Sequence, residues 1–172
     1  MTTDYVGALA ALDQRIGVGI RPGLERVRGL LEMLAEPQTT FPVIQVAGTN
    51  GKTSTARMIA ALLSAHGLAT GLFTSPHLRR INERFEIAGD PITDQAFADL
   101  LAVTEPIARL FEQREDTQIT YFEITTAMAY SWFAAEAVDV AVVETGLGGR
   151  WDATSVADRM TCRGSPGWRV AT

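Results

Sequence analysis

Along this chain, short unbroken apolar runs alternate with apolar residues at helical spacing. "FPVIQVAG" (41–48), "ATGLFTS" (69–75) and "VDVAVVETG" (138–146) are apolar runs bounded by glycine, proline or polar residues. Such runs predict strands buried on both faces of a parallel sheet. Leu24, Val27, Leu30, Leu31 and Leu34 recur every three or four residues, which predicts a helix over 22–37 with Pro22 in its first turn. "GALAALDQRI" (7–16) reads as an earlier helix. "KTSTARMIAALLSAHG" (52–67) reads as another, with Met58, Ile59, Leu62 and Leu63 as its inner stripe and Gly67 as its stop. Residues 43–74 therefore read strand, glycine-rich turn, helix, strand: one parallel βαβ unit with a right-handed crossover.

"INERFEIAG" (81–89) is expected as a strand near a sheet edge. "TDQAFADLLAVTEPIARLFEQRED" (93–116) predicts a long amphipathic helix, bent or broken at Pro106. "TYFEITTAMAYSWFAAEA" (120–137) predicts a further helix, and Thr120 and Glu123 have the spacing of a capping box. After the third strand the pattern stops. "RMTCRGSPGWRVAT" (159–172) shows no periodicity, so no strand or helix is expected there, although one should follow to complete the sheet. The fold class is α/β: a phosphate-loop-type parallel sheet flanked by helices, and incomplete.

The 172 residues are 47% hydrophobic and 20% charged, the balance of an ordinary globular domain. A net charge of -5 with no basic stripe argues against a nucleic-acid partner. One cysteine, Cys162, excludes an internal disulfide and fits a cytoplasmic setting. No signal peptide is read at the N-terminus. No apolar run reaches the ~18 residues of a membrane span. Oligomeric state is not legible.

The chemistry concentrates in the turn "VAGTNGKTS" (46–54). Gly48 and Gly51 let backbone N–H groups close around a phosphate, and the following helix presents its positive end. Thr49 and Asn50 complete the bend. Lys52 is a point charge able to reach the outer phosphates of ATP, and Thr53 and Ser54 offer hydroxyls to Mg²⁺ or phosphate. Val46 stands where the usual phosphate-loop template has glycine. The bland alternative is a plain strand-to-helix turn, but strand before, helix after and lysine at the helix start are the context the motif demands. Glu144 ends the third strand, where ligands bind in open parallel sheets. It is a candidate Mg²⁺ ligand, against the alternative of a solvated turn residue. Ser75 ends the second strand and is a further metal candidate; Pro76 and His77 shape the loop after it. Arg150 and Asp152 supply opposite charges beside paired glycines, and Tyr121 and Phe122 could stack on a flat ligand or belong to the core.

Together these residues resemble the Mur-ligase-like amide synthetases, which use G-T-N-G-K in place of the longer glycine template. Within them, "TSPHL", "TYFE" and "ETGLGGRWDATS" resemble the folylpolyglutamate synthase and dihydrofolate synthase branch. The resemblance covers residues 20–158. It implies a ligase that joins L-glutamate to dihydropteroate or tetrahydrofolate through an acyl phosphate, with ATP and Mg²⁺. It assigns Gly48, Thr49, Asn50, Gly51, Lys52, Thr53 and Ser54 to ATP, with Lys52 and Glu144 as the catalytic pair. Ser54, Ser75 and Glu144 are implied metal ligands, and the branch often has Gly where Thr53 stands. Pro76, His77, Thr120, Tyr121, Phe122, Glu123, Arg150, Trp151, Asp152 and Ala153 are implied substrate contacts; Trp151 stands where the family usually has Leu. Arg21 and Pro22 lie near an N-terminal contact.

Residues 1–158 are thus expected to be a partial ATP-binding domain. Residues 159–172 are expected to be an irregular tail from frameshift or truncation, with the family's C-terminal ligase domain and its Leu-Asp-His segment missing. An inactive remnant that at most binds ATP or folate is the alternative. A generic phosphate-loop kinase is disfavoured, because it has no need of "TSPHL" or "LGGRWDATS".

Overall fold

A computed structural model describes residues 4–19, 21–146, 149–157 and 160–164, the last five as backbone only. Five helices and six strands follow in chain order. The helices are α1 (Tyr5–Asp13), α2 (Glu25–Met33), α3 (Lys52–Ala65), α4 (Asp94–Glu115) and α5 (Tyr121–Ala135). The strands are β1 (Val43–Val46), β2 (Thr70–Phe73), β3 (Phe85–Ile87), β4 (Asp90–Pro91), β5 (Val140–Glu144) and β6 (Met160–Gly164). Together the strands form one sheet in the order β4-β3-β2-β5-β1-β6.

The four strands β2, β5, β1 and β6 run parallel. β3 and β4 add an antiparallel edge. The expected βαβ unit exists, but its two strands are not neighbours: β5 lies between β1 and β2 and pairs with both. β6 corrects a second expectation. The stretch without periodicity supplies a strand, pairing Val43–Val46 of β1 with Met160–Gly164 across a local irregularity. An edge strand needs only backbone pairing on one side, so its sequence need not show an apolar run. Residues 159 and 165–172 of the expected tail lie outside the described residues.

The two faces of the sheet differ in cover. α1, α2, α4 and α5 enclose the larger core with Val43, Phe73, Phe85, Ala141 and Val143. On the other face α3 packs against Val46, Leu72 and Val142 through Ala56 and Ala60, with Ile59 and Leu63 alongside. Of the expected α3 stripe, Ile59 and Leu63 face the sheet, while Met58 and Leu62 are 60% and 62% exposed. Small residues explain the difference. Alanines let the helix axis approach closely, and Met58 lies about 200° around the helix from Ala56.

α2 begins at Glu25 with Leu24 as its N-cap, so Pro22 precedes the helix instead of opening it. α4 continues without a break through Pro106. Pro106 and Ala102, whose carbonyl loses its partner, both face solvent, and water can satisfy the freed oxygen. α5 starts on the expected capping box: Thr120 Oγ1 accepts from Glu123 N, and Glu123 Oε2 accepts from Thr120 N. No helix of the described residues is long and apolar enough to cross a membrane.

Candidate functional site

Strand alternation builds the site from the sheet outward. Val143 points into the larger core and Val142 toward α3. Glu144, two residues beyond Val142, therefore turns toward the first turn of α3. It lies in register with Val46, the last residue before the glycine-rich turn. Glu144 and Lys52 thus occupy the same end of the sheet, where the parallel strands finish.

Gly51 carries a left-handed φ of 71° as the N-cap of α3, and open space surrounds the position of its absent Cβ. Backbone conformation, not crowding, is what requires glycine here. Lys52 is the first helical residue, half-buried, and forms no ion pair among the described residues. Thr49 and Asn50 are exposed at the tip of the bend.

Glu144 is 1% exposed. Its Oε1 accepts a hydrogen bond from Thr53 Oγ1 at 2.9 Å, and its Oε2 accepts from the Ser75 backbone N–H at 3.2 Å. One carboxylate therefore gathers the helix start and the end of β2. The two hydroxyl candidates differ in position: Thr53 reaches Glu144, whereas Ser54 is exposed.

Beyond Ser75 the chain passes through a cis bond to Pro76 and then His77. His77 Nδ1 accepts from Arg84 Nε at 2.9 Å. Burial, reinforced by the Arg84 charge, holds the His77 pKa below its usual range. The neighbouring turn is held by Glu83, whose carboxylate accepts from the backbone N–H groups of Leu78, Arg79 and Arg80.

At the start of α5, Thr120 and Glu123 are engaged with each other, and Glu123 Oε1 also accepts from Arg26 at 2.9 Å. These two of the sequence candidates position the helix. Tyr121 and Phe122 stay half-buried beside them. The Phe122 ring lies 6.1 Å from Phe73 and against Gly146.

After β5, Asp152 Oδ1 accepts from Thr154 N and Thr154 Oγ1, which sets the short 3-10 turn Ala153–Val156. Gln45 of β1 donates to Thr154 and Ser155, and Tyr130 donates to the Thr154 carbonyl. Trp151 is 58% exposed with the Arg150 guanidinium 5.3 Å from its ring centre. Ala153 is buried in the larger core. Leu147 and Gly148 lie outside the described residues.

The donor set suits a nucleotide-associated Mg²⁺, which typically takes one or two carboxylates and completes its shell with water and phosphate oxygens. Glu144, with the Thr53 hydroxyl bonded to it and Ser75 held against it through its backbone N–H, provides that kind of corner. No group of three or more His, Cys, Asp or Glu able to hold a metal alone occurs among the described residues.

Sequence reasoning missed Arg84 and Arg26. Neither belongs to an apolar pattern or to a spacing with meaning of its own. Arg84 reaches the Tyr121 ring from the turn just before β3, and Arg26 of α2 reaches Glu123 of α5, so tertiary packing alone brings them to the site.

A parallel α/β sheet with a phosphate-loop-type turn facing a buried strand-end carboxylate defines the class. The Mur ligase middle domain matches residues 46–147. The dihydrofolate synthase/folylpolyglutamate synthase of Mycobacterium tuberculosis is 45% identical over 153 residues, covering 84% of this chain and 31% of its own. That of Bacillus subtilis is 40% identical over 159 residues, covering 92% and 37%. A crystal structure of Mycobacterium tuberculosis folylpolyglutamate synthase complexed with ADP and AMPPCP superposes with a TM-score of 0.83 at 43% identity, covering 90% of this chain and 35% of that one. A folylpolyglutamate synthase complexed with AMPPCP and folate gives 0.81 at 40% identity, covering 89% and 38%. The chain belongs to the Mur ligase family, in its folylpolyglutamate synthase and dihydrofolate synthase branch. It spans about a third of the length of these relatives.

Proposed function

We propose that this chain carries the nucleotide-handling part of an ATP-dependent ligase that joins L-glutamate to dihydropteroate or tetrahydrofolate. The observation that carries the reading is Glu144, buried at a strand end and bonded to Thr53, one residue past Lys52. Relatives similar over most of this chain are named for the activity and have structures with ADP, AMPPCP and folate.

In this reading Gly48–Ser54 wrap the phosphates and Lys52 neutralises charge on the transferring group. Thr53, Ser75 and Glu144 would hold Mg²⁺, which would screen the phosphate oxygens and stabilise charge in the transition state. Ser54, on the exposed side, is left to phosphate or water. An oxygen of the acceptor carboxylate attacks the γ-phosphorus, and ADP leaves. The glutamate amine then attacks the acyl carbon, inorganic phosphate departs with the C–O bond pair, and the nitrogen loses a proton. Pro76, His77, Tyr121, Phe122, Arg150 and Trp151 line the acceptor side. Thr120, Glu123, Asp152 and Ala153 hold the elements that carry them. Holding two reactants in line recovers ~7–11 kcal/mol of the barrier in ideal cases. The single cysteine and the relatives' chemistry fit a cytoplasmic setting.

The alternative reading is a form that only binds ATP or folate. Purified chain incubated with ATP, Mg²⁺, glutamate and dihydropteroate decides between them. Acceptor-dependent ADP release supports the ligase. ATP binding without turnover supports the second reading, and failure to bind ATP refutes both.

A further inference from the structure

Arg84 is a buried cation, 9% exposed, with no carboxylate bonded to it among the described residues. Its sequence neighbour Glu83 is committed to three backbone N–H groups of the 78–80 turn. The contacts Arg84 does make are neutral. Nε donates to His77 Nδ1, and the guanidinium carbon lies 5.4 Å from the Tyr121 ring centre.

Leaving a guanidinium in such surroundings is costly unless an anion completes them. Desolvation indeed pulls the Arg84 pKa below its ordinary value. Because His77 Nδ1 accepts from Arg84, the ring proton of the neutral imidazole is on Nε2. Arg84 Nη1 and Nη2 make no hydrogen bond within the described residues, so the planar fork keeps its paired donors. Position gives the corner its meaning. The Arg84 carbonyl accepts from Thr74 N, one residue before Ser75, whose own N–H meets Glu144. His77 lies two residues after Ser75, and Tyr121 opens α5.

We propose that Arg84, oriented by His77 and Tyr121, binds a carboxylate of the acceptor substrate at the strand-end cleft. The proposal rests on the ligase reading for the identity of the acceptor. The fork matches carboxylate and phosphate alike, and because that reading gives the phosphates to the glycine-rich turn, the acceptor carboxylate is the anion left for Arg84.

The test uses the intact 172-residue chain labelled with ¹⁵N-arginine. The Arg84 Nε–H signal, shielded and hydrogen-bonded, is identified by its loss in Arg84→Lys. Folate and p-aminobenzoate should move this signal, and pterin, which lacks a carboxylate, should not. Arg84→Lys keeps the charge but loses the fork, so its folate affinity should fall about ten- to hundredfold. ATP affinity, read in parallel, should stay within about twofold.

Absence of a shift with either carboxylate, in the unsubstituted chain, overturns the proposal without reliance on a variant. Equal folate binding by Arg84→Lys also overturns it and leaves Arg84 a packing partner of Tyr121. A shift with MgATP instead identifies the anion as a phosphate, which overturns it too. A shift with p-aminobenzoate in a chain that binds no ATP upholds the carboxylate grip while the ligase reading fails.

Discussion

Gly146→Ala tests whether the end of β5 and the start of α5 are as tightly joined as the site requires. A Cβ at Gly146 would meet Phe122 Cζ at 2.8 Å, Phe122 Cε1 at 3.0 Å and Asp152 Oδ2 at 3.2 Å. The φ of Gly146 is not in the left-handed region, so the cost is contact alone. Phe122 is half-buried and bounded on one side by Phe73, so its ring must yield toward the cleft. Overpacking of this kind costs about 1–3 kcal/mol. Removing a glycine returns about 0.4–1 kcal/mol through the unfolded chain. The net loss is about 1–2 kcal/mol, a fall in melting temperature of about 2–8 °C for a domain of this size. Calorimetry of the purified variant reads it, with folate and ATP affinities measured alongside. Folate binding should weaken, because Phe122 and Asp152 both shift, and ATP binding should not. Gly71→Ala is the comparison: its Cβ would lie 2.8–2.9 Å from three Phe133 ring atoms, inside the core. That variant should lose more stability and leave the folate-to-ATP affinity ratio unchanged. A Gly146→Ala chain that melts at or above the parent temperature and binds folate equally would refute the reasoning.

Arg26→Ala leaves the buried Glu123 carboxylate without its cation and should cost about 3–5 kcal/mol in urea unfolding; the double variant with Glu123→Gln should recover part of that loss. Thr53→Val should weaken Mg²⁺-dependent ATP binding about tenfold while Thr53→Ser retains it, by titration calorimetry. Glu83 is held below the usual carboxylate range, chiefly by the Leu78 N–H and then by those of Arg80 and Arg79. Its contribution is therefore complete above the unfolded carboxylate pKa and lost as pH falls through the lower folded value. The amide shifts of 78–80 should move together in that acid window, and Glu83→Gln should abolish the movement.

Much of this architecture is visible in the residue pattern, and the exceptions have physical causes. β1, β2 and β5 announce themselves because strands covered on both faces are apolar at most positions. The capping box of α5 is local chemistry at fixed spacing, so Thr120 and Glu123 could be read directly. Strand order could not, because no local signal says that β5 inserts between β1 and β2. Large residues misled the reading of α3, where Ala56 and Ala60 meet the sheet and Met58 and Leu62 face outward. The place of Glu144 at a strand end was legible, whereas its bond to Thr53 in place of Ser54 depends on the helix's rotation about its axis. Arg84 left no trace in the pattern; its meaning comes from burial against Tyr121 with no carboxylate partner among the described residues.

Lys52 is the only lysine in the chain, which makes the nucleotide grip directly measurable. An amine-acylating reagent followed by peptide mass spectrometry reads the reactivity of that one side chain, with the N-terminal amine as internal reference. Saturating MgATP should slow acylation of Lys52 about tenfold or more and leave the N-terminus unaffected, and Glu144→Gln should reduce the protection. Lys52 acylated at the same rate with and without MgATP would contradict a phosphate site at this turn.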